Sequence, residues 1–188
     1  MQEQIYLRKL ILSDVTKKYL SWMNDLSVTE YLVVGEKPLR RNDLIKYIKD
    51  SKKNNRYNYA IITKLSEKHI GNCSIHSIKL KQKTFEIGWF IGDKKFWGGH
   101  YASMVIFNLL KIGFTEMNLN KCVGQMDEKH IKARMTNRFS GYKEIKKYNR
   151  YWKKINRNIT EIKIEILKKD WLKNAKLLNS KFPKLYDI

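Results

Sequence analysis

Proline and cysteine are nearly absent from this chain, and long apolar runs are absent altogether. Two cysteines in 188 residues, Cys73 and Cys122, cannot lay out a disulfide framework. Neither has the cysteine or histidine neighbours of a metal site, and the four histidines show no metal spacing. A reducing cytoplasm is the expected compartment. Only Pro38 and Pro183 punctuate the sequence. No Gly/Ser linker, repeat or low-complexity tract divides it, so one domain over residues 1–188 with a full core is expected. No run of about eighteen apolar residues occurs, which excludes a membrane-spanning helix. The opening MQEQIYLRKLILSD breaks its apolar residues with charges and lacks the pattern of a cleavable signal.

Acidic residues are also scarce: 18, against 39 Lys and Arg, for a net charge of +21. Such an excess invites a polyanion partner. It is mostly lysine, accompanied by abundant Asn and Ile, a profile that AT-rich coding also produces, and it is spread along the chain rather than gathered in one arm. The charge would steer anionic ligands inward, but alone it names no function.

What is present is a clear succession of periods. IYLRKLIL (5–12) reads as a strand. Asp14 can cap a helix through VTKKYLSWMND, where Tyr19, Leu20 and Met23 share a stripe. After the loop GEKPLRR, Asn42 or Asp43 can cap the helix LIKYIKDSKK. YNYAIITKL and KHIGNCSIHSIKL are two strands joined by a polar turn. In the strand TFEIGWFIG, Phe85, Ile87, Trp89 and Ile91 share one face and Glu86, Gly88 and Phe90 the other. Past Gly98-Gly99, residues Ala102, Val105, Ile106, Leu109, Leu110 and Phe114 recur at helical spacing. KCVGQMD is a strand, HIKARMTNRFS a helix ended by Gly141, YKEIKKYNR a short polar strand, ITEIKIEIL an alternating strand and KKDWLKNAKLL a closing helix. The order is β-α-α-β-β-β-α-β-α-β-β-α, a mixed α/β fold.

The strand that meets Gly98-Gly99 at a helix start is the most informative stretch. A glycine turn there exposes main-chain N–H groups and the positive end of the helix dipole, a geometry suited to a phosphate or pyrophosphate. Lys94 and Lys95 stand just upstream and can add charge. A tight turn with no ligand is the plainer reading of a glycine pair alone.

The wider pattern is more specific. IGDKKFWGGHYASMVIFNLLKIGFTEMNLNKC, followed by HIKARMTNRFSGYKE, resembles the GNAT acetyltransferases, in particular their RimJ/RimL-like branch, which includes amino-sugar acetyltransferases. YLSWMNDLSVTEYL, HIGNCSIHSI and EILKKDW agree in order, so the resemblance covers nearly the whole chain. It implies a central, mostly antiparallel sheet with one splayed strand pair, flanked by helices, and acetyl-CoA as cosubstrate. It places Trp97, Gly98, Gly99, His100, Tyr101 and Ala102 in the pyrophosphate turn. Main-chain groups of Phe90, Ile91 and Gly92 would pair with the pantetheine arm. Ordinary packing is the competing reading for Trp97 and Tyr101.

Two departures stand out. His100 replaces the second glycine of the turn, where a Cβ would crowd the ligand, a positive φ would be costly and the imidazole could reach a phosphate. His130 and Ala133 replace an Asn and a Ser that border the cofactor, and Ala133 offers no hydroxyl.

Acetyl transfer needs a group to take the amine's proton. The resemblance gives that role to Glu86, whose carboxyl burial beside a ligand would make a stronger base; a strand residue reaching solvent or a lysine is the alternative. Asn137 occupies the position where many of these enzymes carry a tyrosine acid. Its amide can orient or polarise the thioester but cannot supply a proton, and a solvated helix residue is the alternative. Tyr142 and Tyr148 are secondary candidates for the acid or the acceptor cleft. His76 reads as structural, and His69 has no assigned role. The run KKYNRYWKKINRN (146–158) mixes bases with aromatics, as a nucleic-acid surface would, but the resemblance makes it the last strand connection, near the acceptor.

The expected reaction is acetyl transfer from acetyl-CoA to a primary amine, on a small or nucleotide-linked amino sugar or on a protein N-terminus. Neither nucleic acid nor membrane is the expected partner, and a monomer or homodimer is expected. A non-catalytic CoA- or nucleic-acid-binding domain is the alternative that His100, Ala133 and Asn137 keep open.

Overall fold

The computed structural model describes residues 3–34, 37–51 and 53–186. Gly35 and Glu36, which open the expected loop GEKPLRR, and Lys52, near the end of the second expected helix, lie outside the described residues.

Alternating apolar residues build β1 (Ile5–Lys9), β2 (Tyr57–Thr63), β3 (His69–Lys79), β4 (Thr84–Ile91), β5 (Lys121–Asp127), β6 (Lys143–Trp152) and β7 (Arg157–Leu167). They form one sheet in the order β1-β2-β3-β4-β5-β7-β6. Every neighbouring pair is antiparallel except β4 and β5. The expected mixed sheet flanked by helices is the fold observed.

The two faces are covered differently. On one lie α4 (Tyr101–Lys111), α5 (Ile131–Phe139) and α6 (Lys168–Lys181). The expected α4 stripe is buried apart from Ala102, which is half-buried: Val105, Ile106, Leu109, Leu110 and Phe114 have no exposed surface, and they meet Phe85, Ile91, Ile162, Ile164 and Ile166 from the sheet. Truncating any one of them would cost about 2–5 kcal/mol. On the other face, α1 (Lys17–Met23), α2 (Leu26–Thr29) and α3 (Arg41–Lys49) bury Tyr19, Trp22, Met23 and Leu44 against Phe90. The side-chain period along β4 thus sorts its residues between two cores as expected. No helix among the described residues is long and apolar enough to cross a membrane.

Several boundaries differ from the sequence expectations. β1 stops at Lys9, and Leu12–Asp14 forms one 3-10 turn. Asp14 does not cap α1. Its carboxylate is buried, takes both Arg8 guanidinium nitrogens at 2.8 and 2.6 Å and accepts from the Ile11 amide at 2.8 Å. Thr16 is the cap, its hydroxyl accepting from Tyr19 N at 3.1 Å. Asp43 lies inside α3 and accepts from the Arg40 amide at 2.7 Å, which ties down the helix entry. The short helix α2 was not expected. The run 146–158 is no long connection: Lys146 to Trp152 belong to the edge strand β6, and the link to β7 is a tight turn with Asn156 left-handed at φ +50°.

Candidate active site

β4 and β5 stay paired for only three residues: Thr84 with Lys121, Phe85 with Cys122 and Glu86 with Val123. Beyond Glu86, Ile87–Ile91 keep β3 as their only strand neighbour, while Gly124–Asp127 keep β7. The strands therefore part, and their inner edges present main-chain donors and acceptors to a gap. Two groups near the mouth are already occupied. The indole N–H of Trp97 donates to Ile91 O at 2.8 Å, and the Gly92 amide donates to Ile70 O at 2.8 Å. The Gly92 amide is thus taken, and its carbonyl is the group it can bring to such a pairing. Its glycine identity has a packing cause, because a Cβ there would overlap the Trp22 ring.

At that mouth the chain turns into α4. Gly98 and Gly99 have φ of +91° and +54°. A Cβ at Gly98 would meet no atom within 4 Å, so this glycine answers to backbone conformation and to open space outside the protein. The first bond of α4 runs from Met104 N to His100 O. The amides of Tyr101, Ala102 and Ser103 therefore lie in the first turn without an intrahelical partner. Free amides in this arrangement can cradle an anion. Lys94 is not poised over it: its ammonium pairs with Asp25 at 2.6 Å and lies near the Trp97 ring. Tyr101 packs edge-on against Phe96.

His100 departs from expectation. Its φ is −103°, so no left-handed strain arises. The imidazole does not reach toward the cradle. It packs between Phe139 and Phe182 and shares a hydrogen bond with Tyr186 Oη at 3.2 Å. Tyr186 has no exposed surface, and its hydroxyl lies 2.6 Å from Ser103 Oγ. The residue that replaces glycine in the turn thereby ties the start of α4 to the C-terminal segment.

Glu86 stands where the strands part. It is half-buried and, among the described residues, has no hydrogen bond or ion pair, so the expected alternative of a lysine partner does not hold. Across β3 its register partner is His76. The space left by the missing Cβ of Gly88 is filled by His76 Nε2, 3.3 Å from where that atom would stand. Burial, with the Arg56 charge nearby, pushes the His76 pKa down to about 4, so the ring is neutral near pH 7. Arg56 in turn donates to Ser74 Oγ at 3.0 Å. On the same face across β5, Tyr148 Oη reaches Gln125 Oε1 at 3.3 Å and bonds to Glu161.

The inner face of α5 closes the opposite wall. Ala133 and Asn137 are both buried, and Asn137 is no solvated helix residue: its Nδ2 points at the Met126 sulfur at 3.8 Å. His130, at the start of α5, stacks on Tyr31 with ring centroids 3.9 Å apart, and burial lowers its pKa. Tyr142 is removed as an acid, because its buried hydroxyl donates to Cys122 Sγ at 3.0 Å. His69 is spent on Asn72 Oδ1 at 2.8 Å. Sequence reasoning missed Tyr186 and Tyr31. Only the four-residue spacing of Phe182 and Tyr186 hinted at the former, and Pro183 obscures it.

A sequence profile of the acetyltransferase (GNAT) domain matches residues 4–143. An uncharacterized N-acetyltransferase, p20, from Bacillus licheniformis is 29% identical over 146 residues, covering 76% of this chain and 81% of that protein. Among solved structures, a spermidine N-acetyltransferase from Vibrio cholerae in complex with CoA and spermine superposes with a TM-score of 0.79 at 20% identity, over 90% of this chain and 98% of its own. A GCN5-related N-acetyltransferase from Brucella melitensis superposes with a TM-score of 0.79 at 14% identity, over 96% and 83%. The chain belongs to the GNAT acetyltransferase family. It is an acyltransferase, and its cosubstrate is acetyl-CoA. The open space over Gly98 and the unpartnered amides at the start of α4 fit the diphosphate of that cosubstrate.

Proposed function

We propose that the protein, acting as one cytoplasmic domain over residues 1–188, acetylates the primary amine of a small amino sugar, most simply a nucleotide-linked one, in the manner of the RimJ/RimL-like branch. The observation that carries this reading is the Glu86 carboxylate, unpaired and half-buried where β4 and β5 separate. Acetyl-CoA supplies the activated acyl group as a thioester. The chain's own residues do the rest. Amides of the turn 98–103 hold the diphosphate, and the splayed edge of β4 aligns the pantetheine arm. As the amine nitrogen bonds to the acyl carbon, its proton passes to Glu86 directly or through one water. Asn137 orients the acyl end from α5, and the departing thiolate takes its proton from water, since no tyrosine hydroxyl on α5 is there to give one. His100 does not obstruct the cradle, which favours turnover over a binding-only role. The net charge of +21 favours an anionic acceptor and disfavours a polyamine.

Release of free CoA should be followed with acetyl-CoA and three acceptor sets: amino sugars with their nucleotide-linked forms, peptides with free N-termini, and polyamines. Turnover confined to the first set supports the reading. Turnover confined to peptides replaces it with a protein N-terminal acetyltransferase.

A further inference from the structure

The segment 25–34 follows α1 on the face of the sheet that carries Glu86 and Phe90. Three side-chain anchors tie it to three separate parts of the fold. At its start Asp25, the N-cap of α2, pairs with Lys94 at 2.6 Å, just past the end of β4. In its middle Tyr31 lies flat on His130, the residue before α5, with ring centroids 3.9 Å apart and 10° between the planes. At its end the Lys154 ammonium reaches over from the turn between β6 and β7. It donates to the carbonyls of Thr29, Leu32 and Val34 at 2.6, 2.7 and 2.8 Å. Carbonyls at and beyond a helix C-terminus lack partners within the helix, and a cation suits them.

These anchors decide where the segment runs. β4 and β5 are parallel and part beyond Glu86 and Val123, so the gap is widest at their C-terminal ends. Lys94 follows one of those ends and His130 the other. A segment tied to both crosses the wide end of the gap on the Glu86 face. It has an inside and an outside: Thr29 is buried and Val28 and Leu32 pack on the α1–α3 core, while Leu26 and Val33 are exposed. Side-chain contacts of this kind are individually modest, so the segment can open without unfolding the sheet.

We infer that Tyr31 and Lys154 are positioning residues for acetyl transfer: they hold 25–34 as a strap closed across the splay, which keeps water from the thioester. The inference rests on the reading above that the thioester lies in the splay beside Glu86, and it is indifferent to which amine accepts. A closed site favours transfer over hydrolysis because the competing nucleophile is excluded. With the strap open, water takes the place of the amine. Its oxygen bonds to the acyl carbon and the carbon–sulfur bond breaks. One proton of the water ends on the departing thiolate and the other passes through Glu86 to solvent, leaving acetate and CoA.

The test uses the full chain with acetyl-CoA and no acceptor, and reads acetate release together with hydrogen exchange by mass spectrometry. Tyr31→Ala removes the stack, Lys154→Met removes the donors and keeps the stem, and Tyr31→Phe keeps the stack as the conservative control. In Tyr31→Ala and Lys154→Met, exchange within 26–34 and acetate release should each rise about tenfold. Melting temperatures should change little, since a segment that opens by itself does not set global stability. Tyr31→Phe should match wild type in both readouts. Acetate release at the wild-type rate in both opened variants, or a rise in Tyr31→Phe equal to that in Tyr31→Ala, overturns the inference. Acetyl-CoA should also slow exchange within 87–91, the β4 edge of the splay. Slowing there, with opened variants that behave as wild type, removes the strap and leaves the splay reading standing. No slowing there removes the splay reading, and the strap's role with it.

Discussion

Replacing Gly98 with alanine separates a ligand-holding turn from a merely tight one. The protein itself has room for the methyl group, since no atom lies within 4 Å of its position. The cost to the fold is then the backbone term: a non-glycine residue at φ +91° pays about 1–2 kcal/mol, equivalent to a fall in Tm of about 2–8 °C in a domain of this size. Gly141 supplies the control, with φ +94° at the end of α5. Gly141→Ala carries the same backbone term plus tight contacts with Ile166 and Asn174, so it should destabilise at least as much. Acetyl-CoA affinity should part the two. At Gly98 the methyl group intrudes on the diphosphate and tilts the amides that hold it, so the dissociation constant should rise about 10–100-fold, or roughly 1.4–2.7 kcal/mol. At Gly141 it should stay within about twofold, because nothing there faces the cradle. Calorimetric titration of both variants, with melting curves, provides the comparison. Equal acetyl-CoA affinity in Gly98→Ala and wild type would refute the main-chain cradle.

Glu86→Gln should lower kcat about 10²–10⁴-fold, the usual worth of a positioned base, with the KM for acetyl-CoA little changed; an unchanged kcat across pH 6–9 (about the range where the amine gains and loses its proton) would remove Glu86 from the chemistry. Tyr186→Phe deletes the hydroxyl shared by His100 and Ser103, which should cost about 1–3 kcal/mol. Melting curves read that loss, and steady-state kinetics should show the acetyl-CoA KM rising more than kcat falls; a variant with wild-type Tm and KM would mean the C-terminal segment does not support the turn. Stability should also decline as pH falls from about 6.5 toward 4. In that window the unfolded chain binds protons that His76, held at about 4, refuses in the fold, and buried His69 and His130 act in the same direction. His76→Gln should flatten the decline by about 1–2 kcal/mol after allowance for solvent screening, as read by urea titrations at several pH values.

The parts of the fold legible in the sequence were those with a strong period. β4 alternates between two cores, and the α4 stripe has one consistent face, so local pattern and tertiary burial agree. β6 was read as short because, as an edge strand, it shows lysines to solvent on both faces and lacks an apolar alternation to measure. Asp14 looked like a cap because any Asp before a helix does; only the fold brings Arg8 to its carboxylate. The strand position of Glu86 and the glycine turn before α4 were legible because strand period and turn chemistry are local. The orientation of His100 was not, since its partner Tyr186 is 86 residues away in sequence.

The proposed chemistry requires the splay between β4 and β5 to hold the thioester beside Glu86. A crystal structure of the protein with acetyl-CoA measures this directly. It should show the diphosphate on the amides at the start of α4 and the acyl carbon within about 6 Å of the Glu86 carboxylate, the reach of one bridging water. A diphosphate bound elsewhere, or an acyl group outside that reach, would contradict the claim.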